Sequence, residues 1–249
     1  PRKKNENKIK KILQFALKEK SQLLKSMSKN YNDSYSFKKI KSITKKNNIR
    51  LIGMGGSTLG SQSIYNFLKE KIKRKFDFVD DLNYVKDKPN IGNFTNLVIS
   101  KSGNTLETIA NTNIYIKKKD KNIFITENKS SYLFERANQL KAEIIHHNNY
   151  IGGRYSVLSE VGMLPAELMG LDPNKFRKLD NLIKNKKFLN ALIQNTNSIL
   201  YFSKTKKFNS IILNYDTKSN SLFNWYQQLV AESLGKKGKG ILPIISTMP

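Results

Sequence analysis

The sequence predicts an α/β fold: a doubly wound, parallel five-stranded sheet flanked by helices, followed by the start of a second, similar α/β domain. Three observations point there. From Ile49 onward short β-rich apolar runs alternate with helix-period stretches, the pattern of a parallel sheet covered by helices on both faces. Hydroxyl- and glycine-rich turns follow the first and third of these runs, where open α/β sheets place their ligand loops. A length of 249 residues with 38% hydrophobic content supplies a core sufficient for one large domain or two small ones.

Residues 1–48 read as an N-terminal helical segment. Ile9, Ile12, Leu13, Ala16, Leu17, Leu23, Leu24 and Met27 recur at three-and-four spacing, an amphipathic basic helix expected to dock on the domain rather than lie on a membrane. In residues 49–150, the first domain, strands are expected at Ile49 to Met54, Phe76 to Val79, Asn96 to Ser100, Ile123 to Thr126 and Ile144 to His147. Helical patterns lie between them near Thr58 to Lys73, Thr105 to Lys118 and Ser131 to Lys141. Residues 151–249 read as a helical connection and an incomplete second domain. A turn-rich loop over Tyr150 to Ser156 leads into helical patterns through Ser198, then a strand at Ile211 to Tyr215 and a helix from about Leu222 to Leu234. With one or two strands of a second sheet before Pro249 and no initial Met, the sequence is expected to be an excerpt of a longer chain, and its unpaired sheet edge to make the piece poorly soluble alone.

Composition narrows the function. The 45 Lys and Arg against 19 Asp and Glu leave a formal charge of +26, which admits nucleic acid, anionic membranes and phosphorylated small molecules as partners. The lysines are dispersed among helical patterns rather than gathered into a stripe with stacking aromatics, so solvated faces are expected and a nucleic-acid partner is not. Zero cysteine excludes disulfides, thiolate metal sites and cysteine nucleophiles, and suits the cytoplasm. Two histidines make a His-rich metal site unexpected. The longest apolar runs are about five residues, against the roughly 20 a membrane-spanning helix needs.

Four segments carry candidate chemistry. Gly53-Met54-Gly55-Gly56-Ser57-Thr58-Leu59-Gly60 follows the first strand and opens a helix, a turn whose N–H groups can approach an anion. It matches neither the Walker A nor the dinucleotide spacing, and a tight turn with close helix packing explains it equally well. Ser100-Lys101-Ser102-Gly103-Asn104-Thr105-Leu106-Glu107-Thr108 gathers hydroxyls and an ammonium on a helix-opening turn. An N-cap needs only one such residue, so Ser100, Lys101 and Ser102 point to a phosphate cradle. Gly152-Gly153-Arg154-Tyr155-Ser156 places a guanidinium in a tight turn, either on the surface or at a developing oxyanion. Gln228 and Glu232, four apart on the last helix, sit at the edge of its apolar arc, where the carboxylate is either solvated or a general base. His146 and His147 have no third ligand nearby and read as structural.

Taken together in this order, GMGGSTLG, SKSGNTLET, GGRYSVLSEVG and QLVAESLGKKGKG resemble the glucose-6-phosphate isomerase family, from about Leu51 to the C-terminus. The SKSGNTLET turn also resembles the wider sugar-isomerase (SIS) domain family. The resemblance implies a five-stranded parallel sheet in each of two domains, and a cytoplasmic enzyme of glycolysis and gluconeogenesis interconverting glucose 6-phosphate and fructose 6-phosphate. It makes Glu232 the base that moves a proton between carbons 1 and 2, and Arg154 the partner of the enediolate. Gln228 would contact the substrate from the same helix, Gly56 and Ser57 would contact the sugar, and Ser100, Lys101, Ser102 and Thr105 would hold the phosphate. No cofactor, metal, membrane or nucleic acid is implied, and a homodimer is.

Two departures stand out. Ser102-Gly103-Asn104 occupies the place of the family's usual Thr-Phe-Thr, closer to the general SIS pattern. The family's ring-opening histidine and C-terminal lysine fall beyond the last residue, and His146 and His147 do not match them, so the site is expected to be completed from outside this sequence. Alternatives are a dual phosphoglucose/phosphomannose isomerase and a non-catalytic phosphosugar-binding regulatory module, against which Glu232 and Arg154 argue. A nucleic-acid binder would reveal itself by a steep salt dependence of binding.

Overall fold

The computed structural model describes residues 2–19, 21–45, 47–82, 93–205 and 209–247. Five strands, β1 (Asn48–Ile52), β2 (Phe76–Val79), β3 (Phe94–Ile99), β4 (Lys121–Thr126) and β5 (Glu143–His146), pair in parallel in the order β2-β1-β3-β4-β5. The expected parallel five-stranded sheet is present. Its order reverses between β1 and β3, which opens a crevice at the carboxyl ends of those strands. The helices are α1 (Arg2–Lys18), α2 (Gln22–Ser26), α3 (Phe37–Thr44), α4 (Leu59–Phe67), α5 (Leu106–Tyr115), α6 (Tyr132–Gln139), α7 (Glu160–Leu168), α8 (Leu179–Leu182), α9 (Lys186–Lys204) and α10 (Asn220–Leu234).

Each face of the sheet carries its own apolar layer. Ile49, Leu51, Leu97, Ile99, Ile123, Ile125 and Ile145 point to one face and pack with Ile40 of α3, Ile64 of α4 and Val161, Met163 and Leu164 of α7. Ile52, Val98 and Phe124 point to the other, against Leu133 and Ala137 of α6. Burial on both faces is why the strands read as continuous apolar runs instead of alternating ones. Most expected strands are present with ends shifted by one or two residues, and two differences are informative. β3 begins at Phe94, ahead of the expected Asn96, because Phe94 and Thr95 already pair with Asn48 and Ile49 of β1; the Asn96 amide donates across to Asn122 Oδ1 on β4 at 2.9 Å. The N-terminal amphipathic stretch is two helices, since Ser21 caps α2 by accepting from the Leu24 N–H at 3.3 Å.

The first helix docks on the protein, and its partner is α9: Leu13 and Leu17 of α1 share a groove with Leu189 and Ile193. The stretch between α2 and α3 is strapped under α7 by buried polar contacts. Asp33 accepts two hydrogen bonds from the Arg177 guanidinium at 2.7 and 2.9 Å, Tyr31 donates to Glu160 at 2.9 Å, and Tyr35 donates to Glu167 at 2.8 Å.

After α9 come β6 (Asn209–Asn214) and β7 (Leu242–Thr247), a parallel pair with α10 as the crossover between them. α10 lies against α4, where Ser63 and Asn66 donate to the Ser221 carbonyl and hydroxyl at 2.7 and 2.6 Å. That contact carries the last helix to the crevice of the first sheet.

Candidate active site

The loop after β1 must let two backbones meet. A Cβ on Gly56 would stand 2.6 Å from the Gly153 carbonyl, so glycine there lets the Gly55–Ser57 turn lie directly on the Gly153–Leu158 turn that carries Arg154. The loop after β3 turns through Gly103 at φ +68°, a left-handed conformation that glycine adopts without strain. A Cβ at that position would also run into Ser131 Oγ at the start of α6.

That second turn opens α5, with Thr105 at the N-cap position but making no side-chain capping bond. Thr105 Oγ1 instead lies 3.1 Å from Ser100 Oγ, and Ser102 Oγ accepts from the Asn104 N–H at 3.2 Å. The hydroxyls are therefore gathered within the turn, beside the unpaired N–H groups of a helix start. Lys101 reaches across to the end of β5, donating to the Asn149 carbonyl at 2.8 Å.

From the other wall comes α10. Glu232 Oε2 is 2.9 Å from Arg154 Nε, and Arg154 Nη1 also donates to the Glu232 carbonyl. Glu232 Oε1 accepts from Gln228 Nε2 at 2.8 Å, while Gln228 Oε1 is buried with no partner among the described residues. Tyr155 closes the back of the pair: its hydroxyl lies 2.7 Å from Ser233 Oγ and its ring faces the Arg154 guanidinium at 5.7 Å. The carboxylate and guanidinium are thus held by side chains from two elements, in a fixed relation to one another.

These groups line one cleft of about 400 Å³. It brings together Gly56, Ser57, Lys101, Ser102, Thr105, Arg154, Gln228 and Glu232. Ser100 stands apart: it is buried behind the cleft wall, its N–H completes the ladder to the Ile125 carbonyl, and its hydroxyl meets Thr105 rather than the open space. The cleft also holds Glu127, Lys129 and Tyr155, which sequence reasoning did not select. Glu127 and Lys129 belong to the loop after β4, and the rule that ligand loops follow strand ends, applied to that strand as well, would have found them. Glu127 Oε2 is 2.5 Å from Lys129 Nζ, and Oε1 is 3.6 Å from Lys101 Nζ. Burial pushes the Glu127 carboxyl up, but the hydrogen bond and charge of Lys129, with Lys101 behind, outweigh it and hold the group below its ordinary range.

His146 and His147 do not line the cleft. The His147 ring is buried, with Nδ1 3.1 Å from the Asn148 carbonyl.

Solved structures share this architecture. A hypothetical protein from Thermus thermophilus superposes on the whole chain and 64% of its own at a TM-score of 0.75 and 19% identity. Tagatose-6-phosphate ketose/aldose isomerase from Escherichia coli matches 84% of this chain and 60% of its own at a TM-score of 0.56 and 15% identity. The fold is of the sugar-isomerase (SIS) class. Within it, the chain belongs to the phosphoglucose isomerase family, whose family model matches residues 7–241. Curated relatives include the glucose-6-phosphate isomerases of Methanocaldococcus jannaschii, 32% identical over 226 residues, and of Mycoplasmopsis synoviae, 33% identical over 227 residues. The first match covers 84% of this chain and 55% of the relative, the second 78% and 51%, so the chain spans about half the length of the curated relatives it matches.

Proposed function

We propose that this chain carries the acid–base and phosphate-holding parts of an aldose–ketose isomerase that interconverts glucose 6-phosphate and fructose 6-phosphate. One observation carries the reading: the Glu232–Arg154 pair faces the hydroxyl- and lysine-bearing turn across a single cleft. Family membership and the names of the curated relatives support the substrate.

In this reading Ser102, Thr105 and the first N–H groups of α5 hold the phosphate, with Lys101 adding charge from the β5 side. Anchoring the remote phosphate sets carbons 1 and 2 against α10. The Glu232 carboxylate takes the proton from carbon 2 of the open-chain aldose as oxygen 1 gains one, leaving a cis-enediol(ate). It then returns the proton to carbon 1 as oxygen 2 loses its own, which forms the ketose. Negative charge develops on the enediolate oxygens, and the Arg154 guanidinium is already within reach of that region. Gln228, which lines the cleft and donates to Glu232 from the same helix, contacts the substrate. Ser100 acts one step removed, setting the Thr105 hydroxyl.

A cytoplasmic homodimer completes the picture: the cysteine-free composition suits a reducing compartment, and the family resemblance implies a second subunit. Glycolysis and gluconeogenesis are the corresponding roles.

The test is NMR of fructose 6-phosphate incubated with the chain in D2O. Deuterium at carbon 2 of newly formed glucose 6-phosphate, lost in a Glu232→Gln variant, is the expected result. Exchange that survives the substitution removes Glu232 as the base, and a chain that neither exchanges nor binds the phosphosugar overturns the assignment.

A further inference from the structure

We propose that Lys129 is a second cation of the phosphate subsite, held in waiting by Glu127 and released to the phosphate when it enters. The inference rests on reading the cleft as a phosphosugar site and names a ligand of that site.

Lys129 and Glu127 lie on the loop after β4, the strand beside β3, whose own loop supplies the hydroxyls. Both side chains line the cleft with Ser102 and Thr105. The two lysines there are not equivalent. Lys101 is tethered: its ammonium donates to the Asn149 carbonyl at 2.8 Å and its side chain is largely covered. Lys129 is 58% exposed, and the ion pair with Glu127 at 2.5 Å is the contact that holds its ammonium among the described residues. A long stem in water swings at small cost, so Lys129 is the cation free to follow an incoming anion.

Glu127 gives the exchange its logic. Its side chain is only 10% exposed, and a bare carboxylate so placed would repel a phosphate. Its backbone is fixed, the Glu127 N–H donating to the Lys101 carbonyl at 3.2 Å and the Lys129 N–H to the Glu127 carbonyl at 2.9 Å. When Lys129 turns to a phosphate, Lys101 remains 3.6 Å from Glu127 and keeps that carboxylate paired. Two ammoniums and one carboxylate thus pass from a closed triad to a cation on the ligand plus an ion pair behind it, with no buried charge left alone.

Titration of inorganic phosphate into the chain, followed by calorimetry, tests this with variants of opposite sign. Lys129→Met is expected to weaken phosphate binding about tenfold, the effect of one charge-assisted hydrogen bond. Glu127→Gln, which frees the same ammonium, is expected to tighten binding several-fold. Lys121→Met makes the same charge change at the opposite end of β4 and is expected to stay within about twofold of the parent. If Lys129→Met binds within about twofold of the parent, or Lys121→Met loses as much, the inference is overturned. In either event, binding that Ser102→Ala still weakens leaves the phosphosugar reading of the cleft standing. If Glu127→Gln binds no tighter, the holding role of Glu127 is overturned. If the parent chain binds no phosphate saturably, both the inference and the reading beneath it fall.

Discussion

Arg154 and Glu232 spend the resting state neutralising each other, so each is ordered before substrate arrives and neither is left as a lone charge in the cleft. Replacing Arg154 by Met removes the proposed partner of the enediolate and is expected to slow deuterium exchange about 100-fold, with a far smaller change in phosphosugar affinity, measured by the same NMR assay alongside calorimetry. Gly103 makes a different demand. An alanine there meets both the left-handed backbone and Ser131 Oγ, so Gly103→Ala is expected to destabilise the fold by about 2–3 kcal/mol in urea unfolding and to weaken phosphate binding with it. At this scale the sequence was informative wherever a residue type is scarce in ordinary turns: the run of hydroxyls at Ser100 to Thr105 and the Arg beside paired glycines stood out. It was silent on Lys129, one lysine among many in a strongly basic chain, because only the pairing with Glu127 and the opening into the cleft distinguish it. The inward aim of Ser100 was equally hidden, since its hydroxyl is defined by a contact five residues away.

Among the elements, the strands were the most legible, because burial on both faces writes them as short, mostly apolar runs. β3 extends back past the expected Asn96 to Phe94, because the buried polar Thr95 and Asn96 interrupt the apolar run and the amide partner of Asn96 on the neighbouring strand is invisible to local pattern. The strap between α2 and α3 was illegible for the same reason, its contacts lying more than a hundred residues apart in sequence. Its energetic weight is checkable. Asp33→Asn leaves the nearly covered Arg177 guanidinium without its counter-ion, and is expected to cost about 3–5 kcal/mol in chemical denaturation. The end of β5 adds a pH dependence. Burial first, with Lys101 adding to it, lowers the His147 pKa from its ordinary 6.5, although the nearby Glu160 charge opposes the shift. Below about 6.5 the unfolded chain therefore binds a proton that the folded chain refuses, and stability falls on acidification until the depressed folded-state pKa is reached. Urea midpoints measured on acidification through that window are expected to decline, and His147→Gln to flatten the decline.

On the scale of the whole molecule, the two sheets differ in size and cover. The five-stranded sheet is covered on both faces, whereas among the described residues β6 and β7 pair with each other alone and lean on α10 from one side. Ile211, Leu213, Leu242 and Ile244 alternate along them on the outer face, between 37% and 63% exposed. An apolar strand pair of this kind invites further strands or a covering surface. The chain is expected to self-associate in analytical ultracentrifugation, and Leu213→Lys to reduce that association with little change in circular dichroism, because the side chain already faces outward. The same disparity places the site across two supports. The hydroxyl-bearing turn proposed to hold the phosphate springs from β3 of the five-stranded sheet, while Glu232 rides on α10, the crossover of the small one. If Glu232 is the base proposed above, grip and chemistry are inherited separately: a single base change in its codon, converting it to glutamine, is expected to leave a receptor that still recognises sugar phosphates, a metabolite sensor one mutational step from an isomerase.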